Sequence, residues 1–154
     1  MNVRTATRSD IPGISRLIQK LAQHDGVPAP EPQSLQDVLS HLMTRGSTTY
    51  LVAENDEGEL VGSLQLDFRL TTWEAATYVY LEDFFVEEEY RGRGVGSVML
   101  DLARTIAQER GCVRIDLDVL ESSAEAQRFY VRHGFADQYR RFMRLVLNEN
   151  KTPA

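Results

Sequence analysis

The stretch Tyr80-Leu81-Glu82-Asp83-Phe84-Phe85-Val86, followed four residues later by Arg91-Gly92-Arg93-Gly94-Val95-Gly96, decides the fold. Its first part has the aromatic and apolar composition of a buried strand, yet it carries two adjacent carboxylates. Ionised groups are costly to bury without a partner or a task. Its second part is an Arg/Gly loop opening onto an amphipathic helix, an arrangement that gathers backbone N–H groups into a nest for an anion. Acid on a strand beside a phosphate cradle points to an enzyme that binds a phosphorylated cofactor and handles protons next to it.

Downstream of the loop, Val95, Val98, Met99, Leu102, Ala103 and Ile106 predict a helix over Val95–Arg110, stopped by Gly111. Val113, Ile115, Leu117 and Val119 alternate with Arg114, Asp116 and Asp118, the period of a strand. Ser122-Ser123-Ala124-Glu125 has the pattern of a capping box for a helix ending near His133, and Phe142–Leu147 reads as a last strand before a frayed tail over 148–154. Upstream, a short strand at Asn2–Ala6 leads into Thr7-Arg8-Ser9-Asp10, a cap for a helix with Ile11, Ile14, Leu17, Ile18 and Leu21 on one face. Pro28, Pro30 and Pro32 mark an extended loop before a second helix, with Ser34 as the expected cap. Thr48–Glu54 and Leu60–Arg69 read as strands joined by the hairpin signal Asn55-Asp56-Glu57-Gly58-Glu59. This order implies one α/β domain over 1–147, with three layers around a mixed sheet.

The bulk composition narrows the partners. A chain of 154 residues suits one core. With 23 Asp and Glu against 17 Lys and Arg, it is acidic, which disfavours nucleic acid and favours a cationic companion. The single cysteine, Cys112, excludes an internal disulfide and fits a reducing compartment. No apolar run is long enough to span a bilayer and the first residues lack a signal-peptide pattern, so a cytoplasmic protein with no membrane partner is expected. His24, His41 and His133 lack ligand spacing, so no metal site is expected.

The glycine loop is neither of the two common nucleotide cradles. Ser97 stands where a dinucleotide-binding fingerprint places its third glycine, and Glu87–Tyr90 separate the loop from its strand. No Lys-Ser/Thr pair follows, which excludes a triphosphate P-loop. Arg91-Gly92-Arg93-Gly94-Val95-Gly96 instead resembles the acetyl-CoA signature of the GNAT superfamily of N-acetyltransferases. Val3–Thr7 with Asp10 is similar to that family's opening strand and cap, and Phe129-Tyr130 with His133-Gly134-Phe135 to its closing helix. The Leu-Glu-Asp-Phe-Phe-Val strand with Tyr90-Arg91-Gly92 resembles the diamine (spermidine/spermine, thialysine) acetyltransferase branch in particular.

That resemblance implies a GNAT-type α/β/α fold whose sheet splays between its fourth and fifth strands. It implies acetyl-CoA as co-substrate, with the pantetheine arm against Phe85 and Val86 and the pyrophosphate on the amides of Arg91, Gly92, Arg93, Gly94, Val95 and Gly96, with Ser97. It implies a homodimer and a small cationic amine as acceptor. Acetyl transfer to an amine needs a base, because an alkyl ammonium loses its proton only near pH ~10.4, and an acid for the departing sulfur. By position in the motif, Glu82 is the water-mediated base, Asp83 the ammonium ligand and Tyr130 the acid, with Phe129 a core residue. In an ideal strand Glu82 and Asp83 face opposite sides, although a local bulge could bring both towards the cleft. Salt bridges to helix arginines remain the structural alternative for both.

Ser123 stands where many relatives carry a cofactor-binding asparagine, and it serves equally as a helix cap. Trp73, in the loop before the acidic strand, is either a wall of the acceptor pocket or an exposed loop anchor. Asp25 and Glu31 are the only acidic residues in the loop where the diamine branch holds polycations. Acetylation of a protein N-terminus, a lysine or an antibiotic amine, and an acyl-CoA sensor without chemistry, are the other readings.

Overall fold

In the computed structural model, which describes residues 1–151, the chain divides into two compact units that meet in sequence at Asp118 and Val119. The first unit holds a five-stranded sheet in the order β1 (Asn2–Thr5), β2 (Thr48–Glu54), β3 (Leu60–Thr71), β4 (Ala76–Val86) and β5 (Ile115–Leu117). The first four strands are antiparallel neighbours and β5 runs parallel to β4, so the sheet is mixed as expected.

The β2–β3 turn forms because Asn55 folds back on it. Its Oδ1 accepts from the amides of Glu57 and Glu59 at 3.1 and 2.8 Å, and Gly58 supplies the left-handed backbone at φ 84°. Alternation along β2 then sends side chains to two layers. Tyr50 and Val52 join Ile11, Ile14 and Leu17 of helix α1 (Ile11–His24) and Leu39 of helix α2 (Pro32–Thr44) in one core cluster. Helix α3 (Val95–Glu109) covers the opposite face. A Cβ on Gly62 of β3 would lie 3.0 Å from Met99 Sδ and 3.2 Å from Ala53 Cβ, so only glycine lets helix and sheet come this close.

Three helical expectations need correction. Val98 was expected inward but is 53% exposed, because the buried stripe runs through Val95, Met99, Ala103 and Ala107 with Leu100. Glu31, not Ser34, caps α2: its carboxylate accepts from the amides of Gln33 and Ser34 at 3.0 and 2.8 Å. Pro32 at the first helical position fixes φ there and puts the start ahead of Ser34. In the second unit, α4 (Ala124–Arg132) starts from Ser123 without a side-chain cap bond, so the expected capping box is not made. Gln127 Nε2 instead ties down the Leu120 and Glu121 carbonyls at 3.0 and 2.9 Å.

Two strand expectations also change. The run Val113–Val119 forms a ladder only at Ile115–Leu117, opposite Val79–Leu81. Beyond Leu81 the backbone of β4 leaves the strand conformation at Asp83, φ 52°, and parallel pairing cannot follow it. Residues Phe142–Leu147 form no regular element; Leu145 and Leu147 are 84% and 91% exposed, and the segment has no ladder partner among the described residues. The expected tail over 148–154 begins as a turn, and 152–154 lie outside the described residues.

An ion cluster closes the start of the first unit. Arg4 Nη1 and Nη2 bond the two oxygens of Asp10 at 2.8 and 2.9 Å, and Nη2 also bonds Glu54 at 2.7 Å. Asp10 further accepts from the Thr7 amide at 2.7 Å, the expected cap, here around a single 3-10 turn. Its carboxyl is held below the ordinary 3.8 by the Arg4 hydrogen bond, so its contribution is present above that value and is lost as pH falls through the folded pKa. Asp10→Asn is expected to cost about 2–3 kcal/mol at pH 7, the scale of charged hydrogen bonds broken in a poorly solvated place. Urea unfolding at pH 7 and pH 3 checks it: the wild-type advantage shrinks at the lower pH.

Candidate active site

A bulge of the kind that could turn both carboxylates to one cleft is present in β4. The β3–β4 register shifts between Ser63 and Gln65, and Asp83 opposite that shift holds a left-handed backbone at φ 52°. Aspartate tolerates this region better than most residues, and such backbone recurs at functional sites. Strand alternation is broken there, so Glu82 and Asp83 line one cavity instead of facing opposite ways.

That cavity, of about 360 Å³, lies between the sheet and the α1–α2 layer. Ile18, Leu35, Val38, Leu39 and Leu42 form its apolar side. Tyr50, Gln65, Asp67, Glu82 and Asp83 form its polar floor, and Arg45 stands where α2 ends. Tyr50 and Gln65 face each other across β2 and β3, and the buried Tyr50 hydroxyl donates to Gln65 Oε1 at 2.6 Å.

The two carboxylates are in different electrostatic states. Arg69 bonds Asp67 at 2.8 Å and Glu82 at 3.1 Å, and its guanidinium stacks 4.3 Å from the Tyr80 ring. Glu82 therefore shares one cationic partner with Asp67, and the three together keep a net negative charge. Asp83 has no hydrogen bond or ion pair on its carboxylate among the described residues. Its carboxyl is pushed up to about 6, first by burial and then by the charges of Glu82 and Asp25. Asp83 as a residue is exposed, so the rise belongs to a partly solvated carboxyl crowded by the floor and by the charges of Glu82 and Asp25. Burial, followed by the same Asp83 and Glu82 charges, raises Tyr50 above the usual phenol range, which keeps its hydroxyl a donor.

The second part of the motif forms a cradle. Gly92 and Gly94 are left-handed at φ 70° and 83°, and Gly94 is the cap residue of α3. A Cβ at either position would meet nothing within 4 Å, so both α-carbons face open space. Val95 and Gly96 open α3 behind Gly94, at the position where helical amides have no acceptor in a preceding turn, the setting of an anion nest. Arg91 plays another part: its amide donates to Glu88 O at 3.1 Å and its Nε to Val86 O at 2.8 Å. It ties the loop to the end of β4, and the amides left for an anion begin at Gly92. Arg93 lies 5.7 Å from the Tyr90 ring.

Since β4 pairs with β5 only through Leu81, Phe85 and Val86 line the unpaired part of the β4 edge that opens toward the cradle. Gly94→Val is expected to weaken coenzyme A binding about 10-fold or more, since a β-branched residue at φ 83° is strained and its side chain enters the nest. Calorimetric titration of the variant against wild type checks it, with an unchanged Kd as the contrary result.

The remaining expected residues lie elsewhere. Trp73 stands 94% exposed in the β3–β4 turn and is not part of the cavity lining. Ser123 is the half-buried cap position of α4 in the second unit. Tyr130 is on α4, its ring edge-on to Phe129 at 5.3 Å and to Phe135 at 5.5 Å. Burial pushes its hydroxyl up to about 12, so it keeps its proton at neutral pH. His133 closes the helix through Nδ1 and the Phe129 carbonyl at 2.8 Å.

A larger concavity of about 650 Å³ lies over Arg16, Lys20 and Glu87, but Glu87 already bonds both cations, at 2.6 and 2.7 Å. Tyr50, Arg45, Gln65 and Asp67 line the cavity without any local sequence signal for it. Only the β2–β3 register and the end of α2 bring them to one place.

Comparison with known proteins adds an independent line. The acetyltransferase (GNAT) family model matches residues 15–135. Thialysine N-epsilon-acetyltransferase of Bos taurus is 33% identical, over 88% of this chain and 84% of its own length. Spermine/spermidine N(1)-acetyltransferase of Bacillus subtilis is 41% identical over a shorter match, 37% of this chain and 38% of its own. Among solved structures, a Trypanosoma brucei acetyltransferase superposes with a TM-score of 0.75 at 26% identity, covering 95% of this chain and 99% of that one.

Proposed function

Since the chain belongs to the GNAT acetyltransferase family, we propose that it moves an acetyl group from acetyl-CoA directly to a primary amine of a small cationic acceptor. The observation that carries this reading is the cavity in which a bulge gathers Glu82 and Asp83 onto one floor beneath an apolar wall. An ammonium is the natural occupant of such a floor, and methylenes suit the wall. The names of the relatives, thialysine, spermine and spermidine acetyltransferases, agree with amine acceptors of this kind.

The amides from Gly92 to Ser97 would hold the diphosphate, with Phe85 and Val86 against the arm. Acetyl-CoA supplies the acetyl group as a thioester. Asp83 accepts the proton of the bound ammonium: its carboxylate is unpaired, and its pKa near 6 leaves it ionised but not inert at neutral pH. Glu82, held by Arg69, keeps the floor negative and orders water beside it. A second reading gives proton removal to Glu82 through such a water, favoured by its 41% exposed side chain in the same floor. Tyr130 returns a proton to the departing sulfur, as its place in the Phe-Tyr helix implies. No group of three or more His, Cys, Asp or Glu among the described residues is arranged to hold a metal.

Thiol release from acetyl-CoA, followed across a panel of amines, tests the function. Release that depends on short primary amines supports it. Activity on peptides alone moves the acceptor to a protein amine, and cofactor binding without any amine-dependent release leaves a sensor.

A further inference from the structure

We propose that Arg69 is a positioning residue for the acetyl transfer: it holds Glu82 back along the sheet and so leaves Asp83 as the carboxylate that takes the ammonium proton. This rests on the acetyl-transfer reading above and deepens it, since it gives a physical reason why one of two adjacent acids has that role.

Three groups fix the Arg69 guanidinium. Its Nε bonds Asp67 Oδ2 at 2.8 Å, its Nη2 bonds Glu82 Oε1 at 3.1 Å, and its central carbon lies 4.3 Å from the Tyr80 ring centre. The strand register makes this possible. Asp67 stands opposite Tyr80 and Gln65 opposite Glu82, so Arg69 reaches back along β3 across the ring between the two acids. A lone exposed ion pair holds a side chain weakly, but a planar guanidinium shared by two carboxylates and a ring is a fixed point. The bond draws Glu82 toward Tyr80, on the side of β4 away from Asp83.

Arg69 bonds Glu82 and not Asp83, and Glu82 is one of the two charges that act on Asp83, with Asp25 the other. The route from Arg69 to Asp83 therefore passes through Glu82. The other titratable or charged groups around the floor are Tyr50 of β2, Asp67 of β3, Tyr80 of β4 and Arg45 at the end of α2. His24 ends α1 beside Asp25, its ring 6.4 Å from that of Phe85. A Glu82 released from Arg69 presents its full charge to Asp83. Two like charges in one site raise the carboxyl further, so Asp83 ionises only at higher pH.

The test is the pH profile of kcat/KM with the best acceptor of the amine panel above. R69Q is expected to move the acidic limb upward by about half a pH unit or more, the scale of one partly screened like charge. R69K, which keeps the charge without the fork, is expected to fall between R69Q and wild type. In an E82Q background, R69Q is expected to leave the limb where E82Q alone puts it. A lower rate with the limb unmoved makes Arg69 a purely structural residue and overturns the inference. So does a limb that R69Q still shifts when Glu82 is already glutamine. An unchanged Kd for coenzyme A shows that each variant is folded, and if R69Q is not, R69K with and without E82Q carries the same comparison. Wild-type protein that releases no thiol with any amine overturns the acetyl-transfer reading, and the inference with it.

Discussion

Asp83→Asn is expected to lower kcat by about 10²–10³-fold, the usual range for a lost general base, while making the protein more stable at pH 7. The two effects share one cause. Folding lifts the Asp83 carboxyl from an ordinary 3.8 to about 6, mainly through burial. The folded state therefore binds this proton more tightly than the unfolded chain, and the wild type loses stability as pH rises from about 4 through about 6. Asparagine removes that loss, and it accepts the left-handed backbone at φ 52° as readily as aspartate. Activity runs the other way: only the ionised Asp83 takes a proton, so wild-type kcat/KM falls below a pH of about 6. Glu82→Gln separates the two carboxylates. If Asp83 is the acceptor, this variant keeps the acidic limb, displaced downward because a neighbouring negative charge has gone. A limb abolished by Glu82→Gln and untouched by Asp83→Asn would give the role to Glu82.

Tyr130→Phe is expected to reduce turnover about 10²-fold or more while leaving the Kd for coenzyme A within a factor of about two. The ring contacts with Phe129 and Phe135 are kept in phenylalanine, so the α4 segment should pack as before. Only the hydroxyl proton is lost. With its pKa near 12, that proton is present throughout the working range, and Tyr130 adds no alkaline limb near neutrality. Rapid-quench measurement of a single turnover checks whether the loss lies in the chemical step. Unchanged single-turnover rates would remove Tyr130 from the mechanism.

Most of the fold was legible wherever a short-range signal decides it. Asn55 and Gly58 fix the hairpin, β2 has the bounds Thr48–Glu54 read from the sequence, and the Arg/Gly loop opens α3 at Val95 as read. What escaped depends on distant partners. The inward face of α3 turns on whether Val98 or Leu100 meets the sheet, and both fit a helical stripe. Ile115–Leu117 is a short strand because β4 swerves at Asp83, a bend set by its pairing with β3. Phe142–Leu147 has strand composition, but composition alone supplies no partner for its backbone.

The site divides in the same way. Glu82, Asp83 and the glycine cradle are contiguous, so one motif displays them. Their unequal pairing follows from Arg69, which is thirteen residues from Glu82 in sequence and 3.1 Å away in space. Arg45 carries no signal in the chain; it joins the cavity lining because α2 ends there.

A crystal structure with coenzyme A and a short amine bound tests the central claim most directly. The expected result places the diphosphate on the amides between Gly92 and Ser97, the arm along Phe85 and Val86, and the amine on Asp83. A nucleotide seated on another face, or an amine bound away from the cavity floored by Glu82 and Asp83, would contradict it.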